Sequence, residues 1–299
     1  MRIYLKADSG DMFRIYQKPT NCDHWIKWFL KRYKTDEITG TAGEQDVYRM
    51  SPTHIVDIDK ANPSIKGCNF SNDTVICGDG NWERALYIRT DTGDKLIGGI
   101  HGFEFYNRVV LTVDGVDVLP ITDKYYGGEI VRAVVSSDLY YPYDYDRRIC
   151  TVLTKYLWYK NSMEVSSRYN WLDDVTIPMS YAAMFPVSQN TDVSEYGQLL
   201  DDYDTEEFSL GATYQEQPSP GAIYWNSNNS LRMKMRYQNV YTGLNNFEDT
   251  GTIKSHFKST STYNKLYVTR NSDPNNLEVS KGDVWNHNVA YYVYNEEAD

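Results

Sequence analysis

The chain of 299 residues lacks most of the marks by which an enzyme is read from its sequence. There is no GxSxG elbow, no P-loop and no GxGxxG opening a helix, so serine-hydrolase, nucleotide and dinucleotide readings have no foothold. Gly78-Asp79-Gly80 reads as a turn, not a phosphate cradle. Cysteine is scarce: Cys22, Cys68, Cys77 and Cys150 show no CxxC spacing, which excludes a thiolate zinc knuckle. Cys68 and Cys77 bracket a short polar loop that a disulfide could close, but free thiols are the expectation in a chain this long. No apolar run approaches transmembrane length, and MRIYLKADSGD at the start is polar and alternating, unlike a leader. Basic charge is also short. With 30 bases against 41 acids the net charge is −11, which argues against nucleic acid and against an anionic membrane surface. A neutral or amino-sugar glycan is compatible with that charge.

Aromatics are plentiful and mostly amphipathic: 27 Tyr and 7 Trp against 9 Phe. Such side chains suit half-wet pleated faces and also stack on sugar rings. The dominant period is two. MRIYLKAD and MFRIYQKP alternate about the turn Ser9-Gly10-Asp11, and HWIKWFLKRY alternates again. RALYIRTDTGDKLIGGIHGFEFY, RVVLTVDGVDVLP, EIVRAVVSSDLYYP and RICTVLTKYLWYKNSMEVSSRYNWL read as strands, with glycine placed in the DTGDK and VDGVD turns. LRMKMRYQNV, TIKSHFKST, NKLYVTR and VAYYVYN form a second set. Only Ser194–Glu207 hints at a helix, and residues 189–221 and 271–277 read as loops inserted between strands. The expected fold is all-β, a large antiparallel β-sandwich with few helices. Residues 1–80 are read as a small N-terminal β sub-domain and 81–299 as the main sandwich.

LIGGIHGFEFYNR, Leu96–Arg108, holds the one arrangement with chemical content. His101 and Glu104 have the spacing of an HxxE metal pair, and His256 or His287 would come late enough to be a third zinc ligand. Enzymes with that pair alternate helix and strand, which this chain does not, so no metal is expected. An acid/base reading pairs His101 with Glu104 or Tyr106, with Glu83, Arg89, Arg108 and Tyr87 nearby in sequence. The plainer reading is a turn permitted by Gly98, Gly99 and Gly102, with His101 bonded locally and Glu104 on a wet face. The adjacent acid pairs Asp173-Asp174, Asp201-Asp202 and Glu206-Glu207 do not make a glycosidase pair, because strand neighbours point to opposite faces. A binding reading draws on aromatics and bases of the same strands. Trp82, Arg89, His101, Arg108 and Trp225 are the candidate ligand-binding residues, and Trp225 lies in GAIYWNSNN between a Pro/Gly loop and an Asn run.

Two segments resemble the galactose-mutarotase-like β-supersandwich. Gly99-Ile100-His101-Gly102-Phe103 with Arg108 is similar to the "HGF, then Arg" signature of aldose epimerases. SMEVSSRYNWLDDVTIPMSYAAMFPVS is similar to an epimerase strand pair that carries a catalytic histidine. Here that place reads Met179-Ser180-Tyr181-Ala182-Ala183, which favours binding over catalysis. The chain also resembles adhesion modules of bacteriophage tail fibres, in its GGxHGxE element, its WNSNN and YNKLYVTR strands and its terminal GDVWNHNVAYYVYN. That resemblance implies a virion protein, released by lysis without a leader, that binds a bacterial surface polysaccharide. It implies other tail proteins and further copies of the chain as partners, and no nucleic acid, membrane insertion or cofactor. The alternatives are a polysaccharide lyase or hydrolase using His101, Glu104 and Tyr106, and a structural virion component.

Overall fold

The computed structural model describes residues 3–34, 43–58, 70–78, 84–119, 121–189, 196–200, 207–208, 215–226, 228–238, 254–259, 262–268 and 271–296, with Trp82 and Ser194. The architecture is all-β. Among the described residues, one 3-10 turn, Gly99–His101, interrupts the strands.

Two long antiparallel runs form the body. The first runs Glu104–Val113, Ile130–Tyr141, Asp144–Tyr159, Ser162–Trp171, Val284–Asn295, Leu231–Gln238, Gly221–Trp225, Tyr196–Leu199, each strand bonded to the next. The second runs Ile3–Ser9, Met12–Gln17, Trp25–Lys34, Thr53–Ile58, Phe70–Cys77, Ala183–Ser188, Tyr263–Val268, Lys254–Ser259, Gln215–Pro218. They join at one side through Gln45–Met50, which pairs antiparallel with Trp25–Lys34 and in parallel with Glu104–Val113; Ile3–Ser9 also pairs with Tyr125–Gly128. Strands of residues 1–80 are therefore hydrogen-bonded to strands of the later region. Lys95–Ile97, Ala85–Ile88, Val175–Tyr181 and Asn271–Val279 make a separate four-stranded sheet.

Period-two alternation supplies the core. In Leu231–Gln238, Leu231, Met233, Met235 and Tyr237 are buried while Arg236 is exposed and Arg232 and Lys234 half-buried. Inward aromatics from the two runs meet: Phe185 lies edge-on to Tyr224 at 5.9 Å and to Tyr291 at 5.3 Å. Trp28, Trp82, Trp158, Trp171 and Trp285 are all fully buried. Burying an aromatic side chain stabilises by about 1.5–3 kcal/mol, so this layer carries a large share of the stability.

Two local expectations are corrected. Ser194–Glu207 holds no helix among its described residues, since Tyr196–Leu199 is a strand paired with Ala222–Trp225. Gly197 weakens a helix there, while Tyr196 and Leu199 fit a sheet edge. Residues 271–277 are strand, not loop. This strand lies at the edge of its sheet, where a proline is tolerated, and the register slips between Ile177 and Met179. Cys22, Cys77 and Cys150 are free and buried. Cys68 lies outside the described residues, as do Glu83, Asp201, Asp202 and Glu206.

Candidate functional site

The LIGGIHGFEF stretch is a crossover, not a hairpin. It leaves the small sheet at Ile97 and enters the large one at Glu104. Between them the chain makes its 3-10 turn, with Gly98 at φ 83° and Gly102 at φ 90°, both left-handed and suited to glycine. The turn is closed by bonds from the His101 amide to the Gly98 carbonyl and from the Gly98 amide to the Gly102 carbonyl, at 3.2 and 3.0 Å. It also docks on residues 43–44: the Gly43 amide donates to the His101 carbonyl, and the Phe103 amide to the Glu44 carbonyl at 2.7 Å.

Glu104 is not on a wet face. It is fully buried and paired with two guanidiniums, of Arg49 and Arg84, each also sealed from solvent. The Ser137 hydroxyl donates to its Oε1 at 2.6 Å and the Gly99 amide to its Oε2 at 2.9 Å. Arg84 reaches on to Thr154 Oγ1 at 3.2 Å and covers the Tyr169 ring at 5.5 Å. Burial alone would raise this carboxyl. The two guanidiniums and the two hydrogen bonds outweigh it and hold the group at about 2. Glu104 is therefore a permanent anion, with no proton to donate and little basicity. It cannot serve as the acid/base partner of His101 expected from the spacing. Its role is to fix four segments of chain: 49, 84, 99 and 137.

His101 is half-buried on the turn above this centre. Burial first, then the charges of Lys265 and Arg49, bring its imidazole down to about 4, so it is neutral at neutral pH. A neutral imidazole can donate and accept hydrogen bonds, which suits contact with hydroxyls. Tyr106 stands edge-on to Tyr48 at 5.0 Å and beneath the Arg32 guanidinium at 4.9 Å. Arg32 in turn pairs with Asp11 and Asp46. No group of three or more His, Cys, Asp or Glu that could hold a metal ion occurs among the described residues. His256 and His287 are both buried, and His287 lies against the Tyr169 ring.

The remaining candidates do not converge. Trp82 is corrected: it is fully buried, edge-on to Trp28 at 6.3 Å and against Tyr291 at 5.2 Å, with its indole N–H on the Gly78 carbonyl. The ring is closed to a ligand, packed among Trp28, Phe185 and Tyr291. Arg89 is exposed and pairs with Asp94 at 3.1 Å. Arg108 is exposed and lines a groove of about 240 Å³ with Phe13, Leu111, Asp117 and Leu119. Trp225, half-buried, stacks on Tyr196 with centroids 6.1 Å apart and carries Arg232 at 5.7 Å. The buried Asn226 carboxamide accepts from the amides of Asn228 and Asn229, which fixes the turn after it.

Sequence reading missed the Arg49–Glu104–Arg84 centre. Arg49 lies in the short strand Gln45–Met50, and nothing in its neighbouring sequence marks it as buried. It also missed the aromatic set at Tyr140–Tyr145, although YYPYDY is visible as a dense run. Phe103 lies edge-on to Tyr143 at 5.1 Å and stacked with Tyr145 at 5.8 Å. Phe105 lies edge-on to Tyr140 and Tyr145.

Two long antiparallel runs define an all-β fold, and solved structures resemble it. The GH36 α-galactosidase AgaA from Geobacillus stearothermophilus, in complex with stachyose, matches with a TM-score of 0.50 and 12% identity over 95% of this chain. The Slr1438 protein from Synechocystis sp. PCC 6803 matches at 0.47 and 10% identity, covering 97% of this chain and 98% of that one. The heparan sulfate lyase HepC from Pedobacter heparinus matches at 0.42 and 8% identity over 99% of this chain. The chain spans 41% of the α-galactosidase and 37% of the lyase. At these identities the likeness is one of fold. No family model and no curated protein matches the chain.

Proposed function

We propose that the chain is a polysaccharide-binding β-supersandwich, the receptor-binding part of a bacteriophage tail fibre that attaches to a bacterial surface glycan. The observation that carries the binding reading is Trp225. Its ring is half-buried at the end of its strand, stacked on Tyr196, with the Arg232 guanidinium over it and an Asn-rich turn after it. An aromatic plane beside planar polar groups offers an apolar face to sugar C–H bonds and hydrogen bonds to hydroxyls. The fold shared with AgaA, which was solved with stachyose, supports the same ligand class. The net charge of −11 favours a neutral or amino-sugar polymer over a strongly acidic one. In this reading the protein works in the virion, as a homo-oligomer among other tail proteins. Trp225→Ala is expected to abolish adsorption to host cells while the fold stays intact. Full adsorption by that variant would overturn the assignment of the site.

A second reading, a lyase or hydrolase, rests on the neutral, half-buried imidazole of His101. Incubation with host polysaccharide, followed by ultraviolet absorbance and reducing-end assays, tests it. Product that persists in His101→Ala removes His101 from the chemistry.

A further inference from the structure

We propose that Tyr143, at the tip of the hairpin joining Ile130–Tyr141 to Asp144–Tyr159, is a sugar-stacking residue, forming with Tyr145 and Lys95 a second subsite for a pyranose ring. The inference rests on the polysaccharide-binding reading above but uses none of the residues assigned there. The hairpin closes with Tyr141 opposite Asp144, leaving Pro142 and Tyr143 as its two loop residues. Proline at the first loop position sets its own φ for the turn. The next position then takes φ 63°, the left-handed conformation for which turns select glycine or asparagine. A tyrosine there is strained, and the strain gains little burial, since Tyr143 is 61% exposed. Stability of the turn alone therefore does not explain the residue. A ring held out to solvent at a strained position fits a contact with something outside the chain.

The surroundings fit a sugar. Phe103, itself at φ 57°, braces Tyr143 edge-on at 5.1 Å, so the ring is held in place rather than waving free. Tyr145, also exposed, stacks on the same Phe103, and its hydroxyl accepts from the Glu44 amide at 3.0 Å. The Lys95 ammonium lies 5.7 Å from the Tyr143 centroid, within reach of hydroxyls on a stacked sugar. Phe103 directly follows the His101–Gly102 turn, so the platform and His101 are set by the same crossover. An exposed aromatic ring held edge-on by Phe103, with one ammonium over it, offers what a pyranose needs: an apolar surface and a donor.

The test uses Tyr143→Gly, a change the φ of 63° favours, so folding is retained. The full chain is titrated with dextran, galactan and de-acetylated chitin oligosaccharides, with binding read by calorimetry and by the aromatic proton resonances of Tyr143. The expected result is that wild type binds at least one probe, that Tyr143→Phe binds like wild type, and that Tyr143→Gly loses about tenfold in affinity, the scale of one aromatic stack. Wild-type binding that Tyr143→Gly leaves unchanged, with Trp225→Ala abolishing it, overturns the second subsite and leaves the polysaccharide reading standing. Binding of none of the probes by wild type overturns both.

Discussion

The Arg49 guanidinium and the Glu104 carboxylate meet in an ion pair from which both side chains are closed off, at 1% and 0% exposure. Arg84 brings a second guanidinium to the other carboxylate oxygen. Glu104→Gln would leave two buried cations with one neutral partner. A broken buried pair costs about 3–5 kcal/mol, and that loss is expected in urea unfolding with an unchanged m-value. The triple variant Arg49→Met, Arg84→Met, Glu104→Leu removes all three charges and is expected to be more stable than Glu104→Gln. A Glu104→Gln loss under about 1 kcal/mol would show that the pair is solvated in solution.

The same centre sets an acid dependence in two windows. Glu104 sits at about 2 in the folded chain against 4.5 unfolded, so its stabilisation is present above 4.5 and is lost as pH falls from there through 2. His101 sits at about 4 against 6.5, so the unfolded chain takes a proton that the native one refuses, and stability falls between 6.5 and 4. Both slopes have the same sign: stability rises with pH. His54, lowered chiefly by burial, adds to the upper window in the same sense. His101→Gln should flatten part of the upper window and leave the lower one intact, as followed by urea midpoints across pH. An unchanged slope between 6.5 and 4 would place His101 in water.

Much of this fold was legible. MRIYLKAD, MFRIYQKP and HWIKWFLKRY became three successive antiparallel strands; in the first a half-buried sheet face imposes period two on the sequence, whereas the third is buried on both faces over residues 26–30. The all-β class followed from strand number without helices. The site was legible only in part. The glycines of LIGGIHGFEF marked a turn, since positive φ is a local requirement. The destiny of Glu104 was not local: its two arginines lie 55 and 20 residues away in sequence. The same limit explains Trp82 and Trp225. Both precede polar residues, and only tertiary packing seals the first among Trp28, Phe185 and Tyr291 while leaving the second half-buried at a strand end.

That contrast gives a paired prediction. Trp82→Ala removes a fully buried ring from the centre of the aromatic layer, and core truncations of this size cost about 3–5 kcal/mol. Trp225→Ala removes a half-buried ring at a strand end and is expected to cost under about 1.5 kcal/mol while abolishing glycan binding. Thermal unfolding and a polysaccharide pull-down on both variants separate the roles. Glycan binding lost by a fully folded Trp82→Ala would contradict its placement.

The crossover glycines make the sharpest comparison. Gly93 and Gly102 both have positive φ, 107° and 90°, so alanine is strained at either. A Cβ on Gly93 would meet nothing within 4 Å, whereas on Gly102 it would lie 2.3 Å from the Gly43 carbonyl oxygen and 2.5 Å from its nitrogen. Gly93→Ala is therefore expected to cost only the conformational strain, about 1–2 kcal/mol. In Gly102→Ala the backbone at 43 must also move, since no flexible side chain can yield. That movement breaks the bonds by which residues 43–44 hold His101 and Phe103. The loss should exceed that of Gly93→Ala by about 1–3 kcal/mol, the range for overpacking against an unyielding neighbour. Amide exchange should rise at Gly43 and Phe103 in Gly102→Ala alone. Equal losses in the two variants would mean that the 43–44 segment does not press on the turn in solution, and would detach His101 from its support.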